Sequence, residues 1–270
     1  MTGQNPSAPG LVVDEISMRY GGHLAVDRMS LHAPPRQITG LIGPNGAGKT
    51  TTFNVCSGLL RPTTGTVHLD GRDVTESAVA ARAQLGLGRT FQRMELFDSL
   101  TVRENVELGR EAGMAGSLPW RHLRSRRSDA AEIKQATDTA LAVCSLEPLA
   151  GRRPTELSTG QRRLVELARV IAGGFTILLL DEPSSGLDKL ETERFGQILR
   201  GLVQDRGTGI LCVEHDMGLV MDICDDVYVL DFGKPIFHGT TAELAVDPTV
   251  RAAYLGSADL NVGTETAQAG

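Results

Sequence analysis

Leu41 to Gly58 reads LIGPNGAGKTTTFNVCSG, and this stretch decides the fold. It holds four glycines, a proline and a lysine, entered by an apolar pair and left by a helix-like run. Just upstream, Ile38 to Ile42 is a compact β-type run. Downstream, Lys49 to Leu60 suits a helix closed by Gly58 and broken by Pro62. Gly43, Pro44, Asn45, Gly46, Ala47, Gly48, Lys49 and Thr50 fit the pattern G-x-x-x-x-G-K-[ST] between that strand and that helix. Glycine lets a backbone take positive φ and come close to a ligand. Successive N–H groups can then cradle phosphate oxygens, and the helix that follows adds the positive end of its dipole. In this reading Lys49 places a compact charge on the β- and γ-phosphates. Thr50, followed by Thr51, offers a hydroxyl to Mg2+.

Working outward, FTILLLDEP (Phe175 to Pro183) and GILCVEHD (Gly209 to Asp216) read as fully buried strands. STGQRRLVELARVIA (Ser158 to Ala172) reads as an amphipathic helix with Ser158 or Thr159 near its N-cap. TERFGQILRGLVQD (Thr192 to Asp205) is a second helix. RYGG (Arg19 to Gly22) is a turn between two apolar stretches, and Val67 to Leu69 with DGRDV suggests a further strand and turn. Strands alternating with helices imply an α/β fold with a parallel sheet and right-handed crossovers. From about Ser99 to Thr155 the chain turns rich in Ala, Glu, Arg and Leu, with helical spacing in DAAEIKQATDTALAVC, which reads as a helical insertion. Asp181 closes the run ILLLD, the place for a carboxylate that reaches Mg2+ through water. Glu182 follows it and is placed to polarise an attacking water.

The 270 residues allow one large domain or two small ones. A net charge of −6 argues against a protein that coats nucleic acid. The arginine-rich run RHLRSRR (Arg121 to Arg127) stands apart, either as a solvated helix face or as a contact for a partner or lipid headgroups. Cys56, Cys144, Cys212 and Cys224 are scattered singly, as expected of reduced, mostly buried thiols. The longest aliphatic run, Ile177 to Leu180, is too short to cross a bilayer. The first ten residues lack the marks of a secretion signal and read as a flexible lead-in. The expected setting is therefore cytoplasmic.

With these residues in place, the chain resembles the ATP-binding cassette ATPases of membrane transporters. The discriminating element is LSTGQ, comprising Leu157, Ser158, Thr159, Gly160 and Gln161. Its commonest form in that family is LSGGQ, so Thr159 stands where a glycine is usual, while the phosphate-contacting Ser158 and Gly160 are kept. Four further matches follow. Tyr20 corresponds to the aromatic that stacks on adenine, and Gln92 in RTFQ to the glutamine that senses the metal. SSGLD (Ser184 to Asp188) corresponds to the loop that meets the opposite subunit, and His215 in VEHD to the histidine that contacts the γ-phosphate.

The resemblance implies a P-loop NTPase core of the RecA-like kind, with an antiparallel β subdomain and an inserted α-helical subdomain. It implies a flexible stretch at 1–10, one ATPase domain at 11–256 and a flexible tail at 257–270. Within the domain, the nucleotide-binding core takes 11–92 and 157–256, and the insertion takes about 93–156. ATP and Mg2+ are the implied cofactors, with Thr50, Gln92 and Asp181 toward the metal. Lys49, Gln92, Glu182 and His215 form the implied catalytic set. Two cassettes would pair head to tail, Ser158 and Gly160 of one closing over ATP on Lys49 of the other, with Asp188 in the contacting loop. A side chain at Gly160 would block that approach. Separate permease subunits would carry the channel at the cytoplasmic face of the inner membrane, with a solute-binding protein as an indirect partner and no nucleic acid. GLGRTFQRMELFDSLTVRENV, the insertion around Arg121 to Ala130 and the ending DPTVRAAYLG resemble the branched-chain amino acid importer ATPases. Lipopolysaccharide-type exporters, an iron–sulfur assembly scaffold and a nucleotide sensor that does not hydrolyse remain as alternatives.

Overall fold

The computed structural model describes residues 4–90, 96–114 and 126–254. Leu11–Tyr20 (β1) and His23–Ala33 (β2) pair antiparallel across Gly21 and Gly22, so RYGG marks a hairpin whose second strand extends past the apolar stretch visible in the sequence. Ile38–Ile42 (β3) runs into the glycine-rich loop and then Lys49–Ser57 (α1), which Gly58 ends in a left-handed cap. Thr64–Leu69 (β4) turns through Asp70 and Gly71 into Arg72–Asp73 (β5). Val79–Gln84 (α2) and Leu87–Arg89 (β6) come next; each is too short to show a period in the sequence. Val102–Met114 (α3) and Arg126–Val143 (α4) occupy the stretch with helical composition. Thr159–Gly173 (α5), Ile177–Asp181 (β7), Lys189–Arg206 (α6) and Gly209–Val213 (β8) follow. Met217–Ile223 (α7), Asp226–Asp231 (β9), Lys234–Gly239 (β10), Thr241–Val246 (α8) and Pro248–Tyr254 (α9) close the described chain.

Two sheets result. A 6-stranded sheet has the order β10-β9-β3-β8-β7-β6, parallel except for β10 at its edge. A 4-stranded antiparallel sheet has the order β2-β1-β4-β5. Strand alternation divides the core. On β7, Leu178 and Leu180 face a cluster built with α5, α6 and α7, while Ile177 and Leu179 face a second cluster between the sheets and α1. Both faces are covered, which explains why ILLLD and GILCV read as unbroken apolar runs.

The helices α3 and α5 pack backbone to backbone. Gly109 and Gly113, four apart on α3, leave no room for a Cβ because the Arg169 and Gly173 carbonyls of α5 lie against them. All four cysteines are free and buried, as the sequence suggested. Residues 4–10 differ from the loose lead-in expected of them. Gln4 N–H donates to Asp14 at 3.1 Å, Gly10 N–H to Asp70 at 2.8 Å, and the Pro9 carbonyl meets His32 Nε2 at 2.8 Å. Satisfying these backbone groups on the antiparallel sheet holds the segment down. The RHLRSRR run and the tail from 255 lie outside the described residues, apart from the backbone of its last two arginines at the start of α4.

Candidate active site

In a parallel sheet every strand delivers its C-terminal end to the same edge, and ligands bind there. β3, β8 and β7 are neighbours in register, with Leu41 opposite Val213 and Val213 opposite Asp181. The glycine-rich loop, the Glu214-His215 turn and the Asp181-Glu182 turn therefore leave from one rim, although they are far apart in the chain.

The loop itself is shaped by two close approaches. Gly43 at φ 149 leaves no space for a Cβ against the Leu230 carbonyl of β9, and Gly48 at φ 101 lies against the Ala25 carbonyl of β2. Among the described residues, the amides of Gly46, Gly48, Lys49, Thr50 and Thr51 have no hydrogen-bond acceptor. Five donors at one loop and helix start form a site for an oxyanion. Lys49 is buried and turned back on the loop, with Nζ donating to the carbonyls of Gly43 at 2.6 Å and Pro44 at 3.0 Å. Burial lowers its pKa below the ordinary lysine value, while Glu182 and Asp181 pull it back up. Asp181 is buried as well, which raises its carboxyl, opposed first by Arg89. Its N–H donates to the Thr90 hydroxyl at 3.4 Å.

Glu182 has φ 48, a left-handed backbone that side-chain-bearing residues rarely take. Its N–H donates to the Val213 carbonyl at 2.9 Å, and its own carbonyl accepts from Ser185 at 3.1 Å. This turn swings the half-buried side chain off the strand line. His215 is exposed at the end of the next strand. Tyr20 is 47% exposed at the β1–β2 hairpin, so its ring has a free face. Gln92 lies outside the described residues.

The pentapeptide has a separate setting. Leu157 is buried, and Ser158 is the N-cap of α5. Its hydroxyl accepts from Gln161 N–H at 3.1 Å while Gln161 Oε1 accepts from Ser158 N–H at 3.1 Å. Thr159 is exposed, and a Cβ at Gly186 would stand 3.3 Å from its Cγ2. Gly160 is buried, and a Cβ there would run into the carboxylate of Glu191 on α6. Glu191 is tied in turn to Asp188, its Oε2 accepting from Asp188 N–H at 3.1 Å and its N–H donating to Asp188 Oδ1 at 2.8 Å. A larger residue at 160 would displace the Glu191 carboxylate from this cap. Two residues with no signal of their own complete the picture. Glu214 precedes His215, and Arg89 opens RTFQ; Arg89 reaches Asn54 at 3.1 Å and Ser57 at 2.8 Å on α1 and lies over the Phe53 ring.

The donors and carboxylates at this rim fit a nucleotide and its metal. The free amides suit phosphate, and the Thr50 hydroxyl with the Asp181 carboxylate is a hard oxygen set of the kind Mg2+ takes. Fold and site together define a nucleotide-binding protein of the phosphate-loop class. The model of the family described as ABC transporter matches residues 26–185. The chain is 39% identical over 255 residues to the high-affinity branched-chain amino acid transport ATP-binding protein LivG of Salmonella typhimurium, covering 93% of this chain and 100% of that protein. The crystal structure of the ADP conformation of MJ1267, an ATP-binding cassette of an ABC transporter, superposes with a TM-score of 0.80 at 28% identity over 91% of this chain and 98% of that one. The cassette MJ0796, solved as a dimer bound to ADP and Pi, gives a TM-score of 0.72 at 25% identity over 86% and 98%. The chain belongs to the ABC transporter family, as one of its ATP-binding cassettes, an ATPase coupled to transport. Among the described residues no helix is long and apolar enough to cross a membrane.

Proposed function

We propose that this chain hydrolyses ATP to drive import of branched-chain amino acids, as one of two cassettes paired head to tail under separate permease subunits. The row of five unpaired amides around Lys49 carries the ATPase reading. The 39% identity to LivG along that protein's whole length supports the cargo. The setting is peripheral, at the cytoplasmic face of the inner membrane, with a solute-binding protein as an indirect partner.

The amides from Gly46 to Thr51, together with Gly43, Pro44, Asn45 and Ala47 as the loop that presents them, bind the phosphates. Lys49 releases the Gly43 and Pro44 carbonyls and turns to the phosphate oxygens. Tyr20 offers its ring to the base. Thr50, Asp181 and Gln92 would hold Mg2+, which would supply positive charge beside the phosphate oxygens. Glu182 orients and polarises the attacking water, and His215 approaches the γ-phosphate from the neighbouring strand end. Leu157, Ser158, Thr159, Gly160 and Gln161 present the start of α5 to ATP on the partner cassette, where its dipole and amides add to the binding. Asp188 fixes the loop alongside. Catalysis in this scheme is positional and electrostatic. Residues 11–256 act as one ATPase domain, the stretch at about 93–156 being the insertion that faces the permease.

Uptake tests the whole reading. A strain deleted for this gene takes up labelled leucine again when the parental chain is restored, and Lys49→Ala restores none and binds ATP more weakly. Full uptake with Lys49→Ala would sink the loop assignment, and leucine uptake unaffected by the deletion would sink the cargo.

A further inference from the structure

We propose that Glu214 is a positioning residue for hydrolysis, its buried carboxylate tying the loop that carries Glu182 to the loop that carries His215. The inference rests on the roles given to those two residues above and deepens them. Glu214 is 1% exposed. Its Oε1 accepts from the backbone N–H of Ser184 at 2.9 Å. Its Oε2 accepts from the N–H groups of His215 at 3.1 Å and Asp216 at 3.4 Å. Ser184 stands two residues past Glu182, after β7, while the other two donors follow β8. One carboxylate thus spans two loops that meet nowhere in the sequence.

Among the described residues no lysine or arginine pairs with Glu214. Its only partner at ion-pair distance is His215, with Nδ1 4.0 Å from Oε2. Burial without a cation raises the Glu214 carboxyl above its ordinary value, and the donors from the two loops, with the Ser184 hydroxyl, oppose that rise in part. Every partner donates, which suits an ionised carboxylate. The tie also accounts for the backbone at Glu182. A side chain at φ 48 persists where its surroundings over-determine it. On one side Glu182 N–H is held by Val213, the residue before Glu214; on the other, Ser184 is held by Glu214 itself. Glu182 is pinned from both directions by consecutive residues of β8 and its end.

Glu214→Gln separates this role from general stability. The amide keeps the size but offers one acceptor oxygen, and its NH2 group faces an N–H, so it holds one loop and not both. In the purified full chain we expect kcat for Mg-ATP to fall about tenfold or more, as loss of orientation does. KM, and Mg-ADP affinity by calorimetry, stay within about twofold, since Lys49 and its loop are untouched. Glu214→Asp keeps the charge but is too short to span both loops, and kcat falls there as well. In the parental chain the Ser184, His215 and Asp216 amides exchange with deuterium more slowly than exposed loop amides, and they speed up in Glu214→Gln. The proposal fails if a folded variant keeps kcat within twofold, or if kcat and Mg-ADP affinity fall together. It fails too if the three parental amides exchange at free-loop rates, a result that needs no variant to fold. Glu182→Gln is measured alongside. Parental hydrolysis by Glu182→Gln removes the underlying reading and this one with it, whereas a dead Glu182→Gln beside an unaffected Glu214→Gln defeats the tie alone.

Discussion

Arg82 shows how much a single buried side chain can hold. It is 1% exposed, and its guanidinium donates to the carbonyls of Val55 and Cys56 at 2.7 Å each, Ser77 at 3.1 Å and Thr75 at 3.2 Å. Val55 and Cys56 lie in the last turn of α1, where carbonyls run short of helical partners and the dipole favours a cation, although Val55 also accepts from Gly58 N–H at 3.2 Å. Arg89 grips the same turn through Asn54 and Ser57. Two arginines from the segment leading to Gln92 thus fix the far end of the helix whose near end offers the phosphate amides. Arg82→Met keeps the apolar stem, strips the Cys56, Thr75 and Ser77 carbonyls of the guanidinium and leaves Val55 with Gly58 N–H alone. We expect a loss of about 3 kcal/mol in urea unfolding, the scale of several buried acceptors left unsatisfied. A midpoint unchanged within error would show that water or a shifted backbone replaces the guanidinium at no cost.

At the scale of the element, the helix starts carry reciprocal caps. Ser158 with Gln161, Asp188 with Glu191, and Thr240 with Glu243 each close a capping box, and Glu104 accepts from both the N–H and the hydroxyl of Thr101 at the start of α3. Hydrogen bonds from Thr101 and Thr240 hold the Glu104 and Glu243 carboxyls below the ordinary glutamate value of 4.5. A depressed carboxyl contributes stability that is fully present above its unfolded pKa and is lost as pH falls through the folded one. Melting temperature should therefore decline as pH drops below about 4.5, from this cause among others. In Glu104→Gln/Glu243→Gln the amides keep an acceptor and do not titrate. The double variant should lose less melting temperature between pH 5 and pH 3 than the parent, and parallel curves would show that these caps do not contribute to acid sensitivity. The box at Asp188 has a further consequence. Because Glu191 occupies the space beside Gly160, the start of α5 and the start of α6 form one packed corner.

Across the whole molecule, the proposed pairing treats the rim with Lys49, Glu182 and His215 and the exposed start of α5 as two half-sites, each completed by a second copy of the cassette or a sibling. Glu182→Gln removes the polarising carboxylate and leaves the phosphate amides in place. We expect this variant to bind Mg-ATP and to run by light scattering at twice the monomer mass, while in Mg-ADP it runs as a monomer. A monomer under both conditions would refute closure by a paired cassette.

Much of this was legible in the chain because the signals are local. The loop Gly43 to Thr50 needs only eight consecutive residues, the buried strands only five apolar ones, and the cap at Ser158 only its own Gln161. Elements such as α2 and β6 left no trace, since six and three residues are shorter than any usable period. The hydrogen bonds of residues 4–10 are invisible in the sequence because their partners, Asp14, His32 and Asp70, lie elsewhere in the chain. The sequence by itself determined the glycine-rich loop ahead of Lys49, between β3 and α1, because that pattern is written in adjacent residues. Only the tertiary structure decided the left-handed turn at Glu182, the Glu214 tie and the crowding of Gly160 by Glu191. These depend on which strands and helices end side by side, and that is set by sheet register and helix packing across distant parts of the chain.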